Sequence, residues 1–130
     1  MKSFNQKYIN YSSALERLEE AIKINEPDEL QIDGIIQRFE FTFELAWKTL
    51  KAYLEYNGFT DDVIGPRGVL KMAFSEGLIQ DADGWENIMG ARNNMSHRYD
   101  YTISREIFEN IKDKYIVLFK ELKDKLKGEK

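Results

Sequence analysis

Cysteine is absent from the 130 residues, which excludes disulfide stapling and thiolate metal sites and makes a reducing compartment the natural expectation. Long apolar runs are missing too. None approaches the roughly 20 residues needed to cross a bilayer, and the opening Met1-Lys2-Ser3-Phe4-Asn5-Gln6 leads into no signal-peptide core. A cytoplasmic protein with no membrane association is therefore expected. A basic excess is also lacking: the formal net charge is -4, whereas domains that hold nucleic acid by bulk electrostatics carry Lys and Arg to neutralise phosphates. Any RNA contact must be local, transient or helped by a partner. No stretch alternates with a period of two, and no internal repeat is visible, so sheet and solenoid architectures have no support.

Apolar material is plentiful. Hydrophobic residues make up 42% and charged residues 32%, with eight Phe and seven Tyr, enough for one core in a chain of a length that normally forms one domain. Residues 1–130 are accordingly expected to be a single helical domain. Phe4, Tyr8, Tyr11, Leu15, Leu18 and Ile22 recur at helical spacing. Asn25-Glu26-Pro27-Asp28 interrupts that helix, and Asp28 can cap the next. The second helix should run to about Tyr56 with a wide apolar stripe: Ile32, Ile35, Ile36, Phe39, Phe43, Ala46, Trp47, Leu50, Tyr53 and Leu54.

Asn57-Gly58 then gives a stop, and Pro66 can open a short helix covering Val69, Leu70, Met72, Ala73 and Phe74 before Gly77. Asp81 or Asp83 caps a fourth helix through Trp85, Ile88, Met89 and Met95. Thr102 or Ser104 caps a last helix with Ile107, Ile111, Tyr115, Leu118, Leu122 and Leu126 inward, fraying in the lysine-rich tail. The expected fold is all-α, an antiparallel up-and-down bundle with four long helices (first, second, fourth and fifth) and one short connector.

Candidate chemistry concentrates after residue 85. Glu86, Gly90, Asn93 and His97 follow at steps of four, three and four, so a continuous helix lines them up as one polar stripe opposite Trp85, Ile88, Met89, Met95 and the stem of Arg92. His97 is the chain's one histidine. Asn93, four residues earlier, is within reach to orient its imidazole for acid or base work. Arg92 lies five residues before His97, which on a straight helix is about 140° of rotation and about 7.5 Å of rise. The two would not share a face, so either the helix distorts near its end or the residues meet in a groove shared with a second copy; the shared groove is favoured.

Plainer roles compete at each position. A histidine near a helix C-terminus can serve only the macrodipole, Arg92 can be an ion-pair partner, and Tyr99 a half-buried cap residue. Glu40 and Glu44 could be paired carboxylates, but Glu44 precedes Lys48 by four residues, which favours a solvated salt bridge. Trp47 and Trp85 read as core, and the Lys-rich tail, interleaved with Glu121, Asp124 and Glu129, as a solvated face.

The segment Arg92-Asn93-Asn94-Met95-Ser96-His97 resembles the Arg-(polar)-x-x-x-His motif of the HEPN superfamily. With Arg98-Tyr99 it resembles the longer Arg-x4-His-x-Tyr signature of HepT-like proteins. Together with Arg38-Phe39-Glu40-Phe41-Thr42-Phe43-Glu44-Leu45-Ala46-Trp47-Lys48 and Ser96-His97-Arg98-Tyr99-Asp100, nearly the whole chain looks most like the nucleotidyltransferase substrate-binding proteins. That resemblance implies a four- or five-helix HEPN-like bundle, a homodimer, and a minimal nucleotidyltransferase as partner in a toxin-antitoxin-like pair. The chain shows no nucleotidyltransferase motif of its own, having no Gly-Ser pair followed by spaced aspartates.

The resemblance also implies roles: Arg92 and His97 as the residues of a ribonuclease toxin, and Tyr99 as the tyrosine that the partner adenylylates. Two readings follow, and they are compatible. The chain is a non-catalytic substrate-binding and partner subunit, placed first, or a metal-independent endoribonuclease in which Arg92, Asn93 and His97 act on RNA. Glu86, Gly90 and Ser96 are candidate binding positions beside them, with Gly90 and Ala91 allowing two backbones to approach. Neither reading calls for a metal or another cofactor.

Overall fold

The computed structural model describes residues 2–59, 65–94 and 100–129. Among these every regular element is helical: α1 (Lys2–Ala21), α2 (Glu29–Tyr56), α3 (Pro66–Ser75), α4 (Ala82–Asn93), α5 (Tyr101–Asn110) and α6 (Ile116–Lys127), the last two joined without a break by a π turn over Ile111–Tyr115. Counting α5, the π turn and α6 as one rod gives the five helices expected. None among the described residues is long and apolar enough to cross a membrane.

The boundaries follow from local chemistry. Asp28 and Gln31 form a reciprocal capping box at the start of α2: the Asp28 carboxylate accepts from Gln31 N–H at 2.8 Å, and the Gln31 side-chain oxygen accepts from Asp28 N–H at 3.0 Å. Asn57 ends α2 and Gly58 follows at φ +91°, a left-handed turn that a side chain would strain. Pro66 opens α3 and Gly77, at φ +76°, lies beyond its end. Of the two candidate aspartates for α4, Asp81 is the cap, accepting from Gly84 N–H at 2.8 Å.

Two expectations need correction. The last rod is capped by Asp100, which accepts from Thr102 and Ile103 N–H, and not by Thr102 or Ser104; an aspartate directly ahead of a helix outcompetes hydroxyls already inside its first turn. The fourth helix is a short element of 12 residues that ends at Asn93, with Asn94 extended at φ −80°, ψ 94°.

The α5–α6 rod shows how the apolar spacing shapes the backbone. Ile107, Ile111, Tyr115, Leu118, Leu122 and Leu126 are all buried. The two successive steps of four from Ile107 to Tyr115 each overrun a turn of α-helix by about 40°. The π turn absorbs that excess there, and Ile116 N–H bonds the Ile111 carbonyl five residues back.

One hydrophobic cluster unites all the helices. α2 packs against α1, α3, α4 and α5, and α6 closes on α1. Phe119 is its hub: Trp85 meets it edge-on at 5.6 Å between ring centres, Phe39 lies at 6.0 Å, and Tyr11 at 6.4 Å, so one side chain joins α1, α2 and α4 to α6. In the α1–α2 seam the buried Thr42 and Thr49 satisfy their hydroxyls on the carbonyls of Arg38 and Leu45, at 2.7 and 2.6 Å. Gly84 marks the closest approach of α4 to the last rod, because a β-carbon there would come within 2.6 Å of the Leu118 side chain and 2.5 Å of the Asp81 carboxylate.

The Tyr11 hydroxyl, fully buried, donates to the Phe119 carbonyl at 2.6 Å. Burial pushes its pKa well above the ordinary tyrosine value, with the neighbouring Tyr8 and Glu19 adding to the effect. A raised folded-state value means that its contribution is fully present below the unfolded value, about pH 10, and is lost as pH rises towards the folded one. Tyr11→Phe should therefore cost about 1 kcal/mol at pH 7. In urea denaturation at stepped pH, that deficit should hold to about pH 9 and shrink above about pH 10.

Candidate functional site

The candidate site is built where α4 ends against the middle of α2. Glu44 projects from α2 beside two local partners. Its Oε2 accepts from the Trp47 indole N–H at 3.2 Å and lies 3.7 Å from Lys48 Nζ. Its other oxygen, Oε1, is ion-paired with Nη2 of Arg92 from the last turn of α4. The expected Glu44–Lys48 bridge is thus present, but it is the weaker half of a three-residue charge cluster. Trp47, expected in the core, is half-buried and serves this cluster.

Arg92 is held on three sides. Besides Glu44, its Nη1 donates to Asn93 Oδ1 at 2.8 Å, and its guanidinium carbon lies 5.8 Å from the centre of the Phe43 ring. Its position at the C-terminal end of α4 also sets a positive charge near the negative end of the helix dipole. The side chains of Arg92 and Glu44 are 31% and 26% exposed, so the pair is shielded from water more than a surface bridge yet remains open to an incoming group. A guanidinium that keeps unused N–H donors can offer them to a phosphate as a planar fork.

The residues singled out in the sequence fall into three groups. Glu86, Gly90 and Asn93 are exposed on one side of α4 while Trp85, Ile88 and Met89 are buried on the other, as the stripe required. Arg92 and Asn93 are brought together. Ser96, His97 and Tyr99, with Met95 and Arg98, lie outside the described residues.

α4 ends at Asn93, and Asn94 leaves the helical conformation. The expected relations of His97 to Asn93 and to Arg92 lie outside the described residues. The Asn93 side-chain oxygen Oδ1 faces Arg92, a partner that helical spacing does not reveal because the two are adjacent in the chain.

Glu86, a candidate binding position, pairs with Arg67 of α3 at 2.8 Å on an exposed surface. Gly90 has open space where a β-carbon would stand, so nothing among the described residues requires a glycine there. Sequence spacing misses the Arg92–Glu44 link because the two are far apart in the chain and periodicity reports only neighbours within an element. Beyond the motif, Arg105 donates to the Tyr101 hydroxyl at 3.1 Å along an open groove of about 400 Å³ that also includes Glu106 and Glu109. Among the described residues no group of three or more His, Asp or Glu is placed to hold a metal ion.

Comparison with known proteins sets this geometry in a family. Residues 6–128 match the family described as nucleotidyltransferase substrate binding protein like, and the chain belongs to it. A crystal structure of a Thermus thermophilus protein superposes with a TM-score of 0.78 at 32% identity, covering 86% of this chain and 94% of that one. A Haemophilus influenzae structure, described as revealing the fold of a substrate binding domain of a nucleotidyltransferase, superposes with a TM-score of 0.69 at 25% identity over 97% and 98% of the two chains. The probable ribonuclease HepT of Haemophilus influenzae is 36% identical over 85 residues, which span 63% of this chain and 58% of that relative.

The Arg92–Glu44 pair sits between an exposed bridge and a buried one in its energetics. Glu44→Gln should lower stability by about 1–2 kcal/mol. A double-mutant cycle with Arg92→Met in chemical denaturation should return a coupling of about 1 kcal/mol or more. Additive losses would show that the two groups do not support each other.

Proposed function

We propose that this chain is the substrate-binding and partner subunit of a minimal nucleotidyltransferase carried on a separate chain, the two forming a toxin-antitoxin-like pair in which this subunit is a homodimer. The observation that carries the reading is the family match over residues 6–128, joined to a structural likeness across 97% of the chain to a substrate binding domain of a nucleotidyltransferase. The missing nucleotidyltransferase motif makes the catalytic function the partner's. The net charge of -4 suits a protein partner better than a long polyanion. Gly90, exposed with open space around it, together with Ala91, suits the close approach of a second copy along the Glu86–Gly90–Asn93 stripe. Tyr99 is the acceptor that the partner adenylylates, and Ser96 belongs to the same binding segment.

A second reading is favoured by the 36% identity to the probable ribonuclease HepT: when free of its partner, the chain cuts RNA without a metal. His97 takes the 2′-hydroxyl proton, and Arg92 stabilises the charge developing on the phosphate. Asn93, whose side-chain Oδ1 already accepts from Arg92, aligns the guanidinium. In this scheme the phosphate competes with Glu44 for Arg92, so Glu44 keeps the cation in place until RNA arrives.

Both readings are open to direct measurement. Co-expression with a minimal nucleotidyltransferase from the same genome should give a complex that co-elutes on size exclusion. Incubation with ATP and magnesium should add the mass of one AMP, lost in Tyr99→Phe; absence of a complex sinks the partner reading. For the second, RNA cleavage by the free protein in EDTA should fall about 10²- to 10⁴-fold in His97→Ala. Cleavage that needs a metal, or is unchanged in that variant, rules the mechanism out.

A further inference from the structure

A groove of about 720 Å³ runs along the outer face of the α1–α2 pair, lined by Asn10, Ser13, Arg17, Gln37, Arg38 and Phe41 over a floor that includes Ala14 and Leu45. Its composition is unlike the rest of the surface. The chain carries a net charge of -4, yet among the described residues this lining holds two arginines and no carboxylate. Arg17 has no carboxylate partner among the described residues, and Arg38 is steadied by donating to the Arg17 carbonyl at 2.9 Å, which leaves most of its N–H donors available. Phe41 is 62% exposed beside them.

We infer that this groove is a binding site for a nucleoside 5′-triphosphate, with the base stacked on Phe41 and the phosphates held by Arg17 and Arg38. An exposed aromatic face fits any base, and guanidinium forks match phosphate oxygens in pairs. The side-chain amide of Gln37 offers a donor and an acceptor, the pattern that reads an adenine edge, and Asn10, whose Oδ1 accepts from Gln6 Nε2 at 3.2 Å, adds its own N–H donors. The volume lies within the range of small-molecule sites, roughly 300–1,000 Å³. The acidic chain opposes a long nucleic acid strand, whereas a single nucleotide meets only the two local cations.

Phe41 precedes Glu44 by three residues, so both lie on one flank of α2. A nucleotide bound in the groove therefore occupies the same side of that helix as the Arg92 cluster. The inference does not depend on the partner reading, because it concerns the free chain.

The test is titration of the purified full chain with ATP, adenosine, inorganic triphosphate and a short single-stranded RNA, read by calorimetry. ATP should bind more tightly than adenosine or triphosphate alone. Phe41→Ala and Arg17→Gln should each weaken ATP at least about tenfold, with the helical circular dichroism unchanged because both side chains are exposed. Three results overturn the proposal: no ATP binding up to millimolar concentration, binding indifferent to both substitutions, or RNA that binds through Phe41 when ATP does not. Sedimentation of Phe41→Ala supplies a further arm. A fall from dimer to monomer would assign the face to a second copy and overturn the nucleotide site, and an unchanged state agrees with it.

Discussion

Burial of α2 among four other elements constrains everything else in this molecule. A helix of 28 residues, about 42 Å long, that packs on α1, α3, α4 and α5 must keep one wide face apolar, and it does: Ile32, Ile35, Ile36, Phe39, Phe43, Ala46, Leu50 and Leu54 are all buried. The opposite face is left less buried, and in the middle of α2 it holds Gln37, Arg38, Phe41, Glu44 and Lys48. Both the charge cluster at Arg92 and the groove at Phe41 stand on it. The core thus determines where chemistry can be placed.

The Arg92–Glu44 pair couples that face to the end of α4. An arginine in the last turn of a short helix would ordinarily swing freely. Here the carboxylate of Glu44, the Asn93 side chain and the Phe43 ring hold it in one place, so its rotamer entropy is spent on folding and not on binding. Lys48 and Trp47 on the other carboxylate oxygen keep Glu44 itself oriented. A ligand that draws Arg92 away must leave Glu44 with Lys48 and Trp47, which lowers the cost of the exchange relative to stranding a bare carboxylate.

The fold is legible in the sequence because its signals are local. Asp28, Pro66, Asn57-Gly58 and Gly77 act within a turn or two of themselves, and each ends or starts the helix expected of it. The apolar spacing identifies the inward residues of the last rod correctly even across the π turn. Less legible is anything set by distant partners. Phe119, which joins three helices to α6, does not stand out in sequence from the stripe around it, and within its own helix the charged neighbours of Glu44 are Glu40 and Lys48, not Arg92. The stripe on α4 holds as far as Asn93 and stops at a helix end that no glycine or proline announces. Phe41 lies within the segment that carries the family resemblance, yet its exposure is invisible there, since position along a helix does not say which neighbours are missing.

The π turn at Ile111–Tyr115 works as a phase adjuster between two halves of one rod. α6 is fixed by Tyr11 and the aromatic cluster around Phe119, whereas α5 carries at its tip Asp100, the first described residue after the motif segment. Deleting one residue from the turn would restore ordinary α-helix and rotate α5 about 100° against α6. Ile107 and Phe108, now inward, would be carried off the core, and the anchorage of the chain leaving the motif would point elsewhere. A single surplus residue thus sets the bearing of Asp100 from about three turns away, without touching it.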